Sequence, residues 1–153
     1  MRRAFWIAAA LAVAACSAPS SPLPGVSLPT LGGASAGSLA ECAADKCLRV
    51  YLTPWCPHCR DAAPYVVKLR DMLARKGIPT AVIVGQDQPD TLTTYARFFG
   101  PDTVLDRDQA VRVNGVPHFW VIDRRGRLVK DIAGFPAYFN GTVEQLAEHF
   151  GLP

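Results

Sequence analysis

Residues 4–15 (AFWIAAALAVAA) are apolar at every position and follow the basic pair Arg2-Arg3. A dozen apolar residues match the centre of an export signal and fall short of the roughly 20 that a helix needs to cross a bilayer. The pattern then disappears. Residues 17–37 (SAPSSPLPGVSLPTLGGASAG) carry no charge and show neither a helical nor an alternating apolar period. Dense in Ser, Pro, Gly and Ala, they read as a tether. From residue 38 to residue 153 enough Val, Leu, Ile and Phe return for a single core of ordinary size, and no internal repeat is present.

Within that domain, residues 47–53 (CLRVYLT) are β-branched and aromatic and end at Pro54, which predicts a strand running straight into the next element. A helix follows, with Pro57 in its first turn, Ala62, Val66, Leu69 and Leu73 at helical spacing, and Gly77 as its stop. Pro64 interrupts this helix and is expected to kink it. Residues 79–84 (PTAVIV) predict a buried strand and residues 90–99 (DTLTTYARFF) a second helix, closed by Gly100-Pro101. Residues 117–122, a turn over 123–126 and residues 127–132 form a β-hairpin. A last helix starts at Thr142, where Thr142 and Gln145 offer a capping box, and reaches Phe150. Parallel strands joined by crossovers, then an antiparallel hairpin and a closing helix, predict an α/β fold with a mixed sheet flanked by helices.

Charge adds little. The formal net charge is +3, and about +1 remains once Arg2 and Arg3 leave with the signal, with acids and bases interspersed, so nothing points to nucleic acid. Cysteine usage says more. The signal ends in Val13-Ala14-Ala15-Cys16, which resembles the lipobox of bacterial lipoproteins. By that resemblance Cys16 is acylated and becomes the mature N-terminus, and two or more acyl chains make a stable membrane anchor. Ser17 after the cysteine directs such a lipoprotein to the outer membrane. Cys42, Cys47, Cys56 and Cys59 remain, an even number in an oxidising compartment.

Cys56 and Cys59 sit in Thr53-Pro-Trp-Cys-Pro-His-Cys-Arg60 at the start of the first helix. Unpaired N–H groups and the helix dipole favour negative charge there, so a thiol in that place ionises more readily. His58 adds to this as a cation or an N–H donor beside the Cys56 sulfur. Cys59, one turn in, would be the resolving thiol. Cys42 and Cys47 either close a small disulfide loop or act as a second redox pair feeding Cys56 and Cys59. A four-cysteine zinc site does not suit the spacing. His118 could lie near the sulfurs and, with His58, complete a copper site, or could simply open a strand. His149 reads as a favourable charge at a helix C-terminus, and Arg124, Arg125 and Arg127 as a solvated turn.

Together, WCPHC opening a helix and the later NGVPHFWVIDRRGRLV resemble the thioredoxin superfamily, most closely the TlpA-like envelope thiol-disulfide oxidoreductases. The Pro57-His58 dipeptide is similar to that of DsbA-type oxidases. The resemblance implies a thioredoxin-like fold and exchange of disulfides with client proteins through Cys56 and Cys59, with no cofactor and a membrane redox partner. It also implies a cis Val116-Pro117 peptide whose backbone meets an extended substrate, with Trp55 and Tyr51 as an apolar rim. Relatives carry a buried acid where this chain has Val50, which leaves the proton acceptor for Cys59 open, and little chain precedes the first strand for the N-terminal hairpin of TlpA-like proteins. Glutaredoxins share the TPWC approach, but an envelope address argues against glutathione. Two other readings stay open: a Sco-like copper metallochaperone holding metal through Cys56, Cys59 and a histidine, and a structural domain whose cysteines are inert staples.

Overall fold

A computed structural model describes residues 22–25, 27–137 and 139–153. The expected signal over 1–15 and Cys16 lie outside the described residues. No helix among the described residues is long and apolar enough to cross a membrane.

The central strand is β3 (Lys46–Leu52), and its alternation organises the molecule. Leu48, Val50 and Leu52 enter one buried cluster and Cys47 and Tyr51 enter another. Side chains alternate across a strand, so a run apolar at nearly every position is one whose two faces are both covered. Strand β4 (Thr80–Gly85) pairs in parallel on one side of β3, and β6 (His118–Asp123) pairs antiparallel on the other. Strands β5 (Val104–Asp106) and β7 (Leu128–Ala133) complete a five-stranded mixed sheet in the order β5-β4-β3-β6-β7.

One face is covered by helices α1 (Pro57–Arg75), α2 (Pro89–Ala96) and α3 (Val143–His149). Val66, Leu69 and Leu73 of α1, Leu92 of α2 and Leu146 of α3 share a cluster with Val50, Val82, Val84 and Phe119. Helix α1 runs unbroken through Pro64, so the expected interruption does not divide it. The capping box at Thr142 forms as expected. The Thr142 hydroxyl accepts from Gln145 N–H at 3.3 Å, and the Gln145 side chain accepts from Thr142 N–H at 2.9 Å.

The other face is covered by chain that the hydrophobic pattern did not reveal. Strands β1 (Ser27–Pro29) and β2 (Ser35–Ser38) pair antiparallel, so the stretch expected to be tether is in part a folded hairpin, and an N-terminal hairpin is present after all. It docks on the edge of β5 through a Thr30–Val104 bridge, with Leu31 N–H donating to Thr103 O and Gly32 N–H to Pro101 O. Leu23, Leu28 and Leu39 close over Tyr51, Trp120 and Ile122. The sequence shows so little of this because a four-residue strand with Ser, Ala and Gly has no apolar alternation of its own. Its order comes from the surface beneath it.

Buried polar groups fix this second layer. The Tyr51 hydroxyl donates to Asp106 Oδ2 at 3.0 Å, and Asp106 also accepts from the Ala110 and Val111 amides at 2.7 and 3.2 Å. A Cβ at Gly85 would fall 1.9 Å from the Tyr51 oxygen, so only glycine lets the phenol pass β4 to reach Asp106. Arg49 is buried and donates to Leu39 O at 3.1 Å, Leu48 O at 3.2 Å and Glu41 O at 2.6 Å. Burial lowers its pKa to about 10. Beside it, Cys42 and Cys47 are disulfide-bonded with Cα atoms 5.7 Å apart. Closing so short a loop stabilises the fold by about 2 kcal/mol in the chain-entropy account.

Arg49→Met removes three charge-assisted hydrogen bonds and leaves the Leu39 and Glu41 carbonyls without this donor. It should lower unfolding stability by about 2–4 kcal/mol, read as a shifted urea midpoint, and an unchanged midpoint would show that the guanidinium does not hold the 39–41 segment.

Candidate active site

Strand β3 ends at Leu52, and the turn over 53–56 delivers the chain into α1. Cys56 is the N-cap residue, with extended φ and ψ of −82° and 120°, and Pro57 occupies the first turn, where its missing N–H leaves no helical bond unmade. The carbonyl of Cys56 already accepts from the Cys59 and Arg60 amides at 3.1 and 3.2 Å. The helix register then makes the two sulfurs unequal. Cys56 stays 6% exposed and Cys59 is fully buried, and both are free thiols.

Burial pushes the Cys59 thiol up to about 12. Hydrogen bonds from the Thr53 amide and hydroxyl oppose that rise, and the neighbouring Cys56 adds to it. The Thr53 hydroxyl lies 3.8 Å from Cys59 Sγ, and the Tyr95 hydroxyl donates to Cys59 O at 3.1 Å. Burial raises the Tyr95 phenol as well, with a further contribution from the Cys59 charge. Val50 is wholly buried in the same cluster as both cysteines. Thr53 is therefore the polar side chain that meets the inner sulfur. Neither Thr53 nor Tyr95 was singled out from sequence. A threonine three residues before a CxxC carries no signal of its own, and Tyr95 reaches the site only through the fold of α2 against α1.

Val116-Pro117 is a cis peptide, as the resemblance implies, and Cys56 Sγ donates to Val116 O at 3.6 Å. Pro117 O in turn accepts from Gly134 N–H at 2.7 Å, which ties the loop to the chain leaving β7. Trp55 is 55% exposed, and its indole N–H donates to Gln86 O at 3.0 Å, so it forms part of the surface beside Cys56. Gln86 holds a positive φ of 60° to present that carbonyl.

The other half of the expected rim is corrected: Tyr51 is wholly buried in the second layer, because its place on β3 points it away from the helices. His58 is exposed and lines a cavity of about 460 Å³ with Asp61, Tyr65, Phe135 and Phe139, on the outer side of the turn. Its expected contact with the Cys56 sulfur is not among the hydrogen bonds formed there. Pro57 is exposed beside it.

His118 follows Pro117 but belongs to the opposite face, where it stacks on Trp120 with ring centroids 4.2 Å apart. Its Nδ1 lies 3.1 Å from Gly115 O and its Nε2 lies 2.5 Å from Asp131 Oδ1. Both ring nitrogens are thus engaged away from the sulfurs. Among the described residues no group of three or more His, Cys, Asp or Glu side chains is arranged to hold a metal ion. The Cys42–Cys47 disulfide lies at the start of β3 and the dithiol beyond its end, with roughly 20 Å of strand between them. Direct electron relay between the pairs within one molecule, one of the two roles considered for Cys42 and Cys47, is excluded by that separation. His149 closes the last turn of α3, and Arg124 and Arg127 form exposed ion pairs with Asp45 and Asp123.

No family model matches this chain, and none of the curated proteins matches it. Solved structures do. The chain is similar to a candidate thioredoxin of Neisseria meningitidis, with a TM-score of 0.65 and 22% identity over 87% of this chain and 89% of that one. It is similar to a secreted Mycobacterium tuberculosis disulfide oxidoreductase homologous to E. coli DsbE, with a TM-score of 0.63 and 17% identity over 83% and 95%. A candidate thiol:disulfide interchange protein DsbE from Chlorobium tepidum gives a TM-score of 0.65 and 19% identity over 84% and 94%. At these identities the likeness establishes architecture, and the chain has the thioredoxin-like fold that WCPHC and the later Gly-Val-Pro led us to expect.

Proposed function

We propose that this protein is a thiol-disulfide oxidoreductase working through Cys56 and Cys59. The observation that carries the reading is the inequality of the two sulfurs: an outer thiol at a helix N-cap, set against a cis-proline loop, three residues before a wholly buried one. In the reducing direction Cys56 attacks a client disulfide as the thiolate, forming the Cys56–client bond and releasing one client thiolate. Cys59 then attacks the Cys56 sulfur, releases the second client thiolate and leaves a Cys56–Cys59 disulfide. Two electrons pass from the dithiol to the client, and the oxidising direction is the same sequence reversed. The chemistry draws on cysteine sulfur alone and needs no cofactor. Val116 and Trp55 supply the client-facing surface, the former through main chain that accepts an extended peptide with little demand on its side chains. A copper-holding role gains nothing from the geometry, since His118 turns away from the sulfurs.

Cys59→Ser should trap a mixed disulfide between Cys56 and a client protein, visible as a reducible adduct of summed mass. Cys56→Ser should abolish both the adduct and turnover of insulin disulfides, and persistent turnover in Cys56→Ser would sink the assignment.

Resolution uses the inner thiol as its thiolate. A group held near 12 is almost wholly protonated at neutral pH, so whatever favours its thiolate speeds resolution. Thr53→Val deletes the hydroxyl that favours the thiolate, which pushes Cys59 further up. It should slow resolution by about threefold to tenfold while leaving the first attack unchanged, measured by acid quench and mass analysis of the mixed disulfide. Equal rates for wild type and Thr53→Val would remove Thr53 from the mechanism.

The cellular setting follows from residues 1–16. We place the protein in the bacterial envelope as a lipoprotein, acylated on Cys16 after loss of the signal, facing the periplasm from the outer membrane. There it exchanges electrons with client proteins and with a membrane redox partner. The supports are the basic start, the twelve-residue apolar run and Val-Ala-Ala-Cys. Cells fed labelled palmitate should label the wild-type chain in the membrane fraction, whereas Cys16→Ser should be unlabelled; label retained in Cys16→Ser would overturn the anchor.

A further inference from the structure

His118 stands outside the redox chemistry just described, yet it is among the most fully engaged polar side chains of the molecule. It is 3% exposed, stacked on Trp120, and bonded at both ring nitrogens. A backbone carbonyl can only accept, so the contact with Gly115 O requires the proton on Nδ1. Asp131 on β7 faces Nε2 at 2.5 Å, so each ring nitrogen has an oxygen partner and the plane of the ring is fixed. Asp131 thereby sets the ring orientation that the Gly115 contact needs.

The loop so held is the one that meets the outer sulfur. Gly115 is one residue before Val116, whose carbonyl lies 3.6 Å from Cys56 Sγ, and two before the cis-proline. On its far side the loop is tied by Gly134 N–H to Pro117 O. His118 supplies the tie on the near side, from the face of the sheet opposite the sulfurs. We propose that His118 is a positioning residue that, oriented by Asp131 and Trp120, holds the Gly115 carbonyl and so fixes the Val116 backbone where a client polypeptide and Cys56 both use it. This rests on the oxidoreductase reading, and it assigns to a histidine beside the site a role in client engagement without contact with the sulfur.

The two nitrogens can be separated by substitution. Asparagine places its amide nitrogen near the Nδ1 position and can still donate to Gly115 O, whereas glutamine reaches toward Asp131 and leaves Gly115 O without its donor. Both lose the stack on Trp120, so a merely structural role would affect them alike. His118→Gln should slow the single-turnover rate with insulin by about tenfold and leave that with hydroxyethyl disulfide, which has no main chain to dock, within about twofold; His118→Asn should keep both rates near wild type. Equal losses in the two variants, or equal losses on the two substrates, would overturn the proposal. In the wild-type chain the ring ¹⁵N resonances read the Nδ1 proton without any substitution, and an unprotonated Nδ1 would also overturn it. Should the wild-type chain turn over neither disulfide, the oxidoreductase reading falls, while those resonances and the amide exchange of residues 114–116 still decide whether His118 anchors the loop.

Discussion

Everything at the dithiol end depends on β3 being buried on both faces. A strand covered on one side only could tolerate a shift of register, but here a slip by one residue would carry Leu48, Val50 and Leu52 out of the helical core and drive Arg49 into it. That double burial fixes where the strand ends and hence where α1 begins. The cysteines inherit their positions from this. Cys56 falls at the helix cap because β3 stops at Leu52, and Cys59 falls inside because its place in the first turn of α1 faces the sheet.

The inequality of the sulfurs follows from helical geometry rather than from any special ligand. Residues three apart in the first turn of a helix point to nearly the same side but at different depths, one at the open end and one over the sheet. Desolvation then does most of the chemical sorting, since the same buried environment that stabilises the fold holds the Cys59 proton. Val50 is apolar, so the influence opposing that rise comes from Thr53.

Much of this was legible in sequence, and the failures have a common cause. Residues 47–53, the Pro-bounded helix start, the 117–132 hairpin and the capping box at Thr142 are all announced by local pattern, and each appears within a residue or two. The β1–β2 hairpin and three-residue β5 were not, because their order derives from contacts with distant chain: Thr30 with Val104, Leu31 with Thr103. The resemblance implies a rim role for Tyr51, although its parity with Cys47 and opposition to Leu52 place it on the other face. Likewise His118 was considered as a ligand from its neighbour in sequence, and the alternation of β6 turns it the opposite way, toward Trp120 and Asp131.

The two faces of the sheet therefore do different work. The helical side carries the sulfurs with Thr53 as their polar neighbour; the far side holds Arg49, the Tyr51–Asp106 pair and the buried His118 ring, which meets the exposed Asp131. Each of these bonds backbone of an irregular segment: Arg49 the 39–41 stretch, Asp106 the loop to Val111, His118 the turn before the cis-proline. Loops lack a ladder to satisfy their own amides and carbonyls, and buried ones must find partners among side chains. Placing those partners on the face away from the thiols lets the loops be rigid without adding a charged group beside the outer sulfur. A substitution on this side can then change how Val116 is presented while the dithiol itself stays chemically intact.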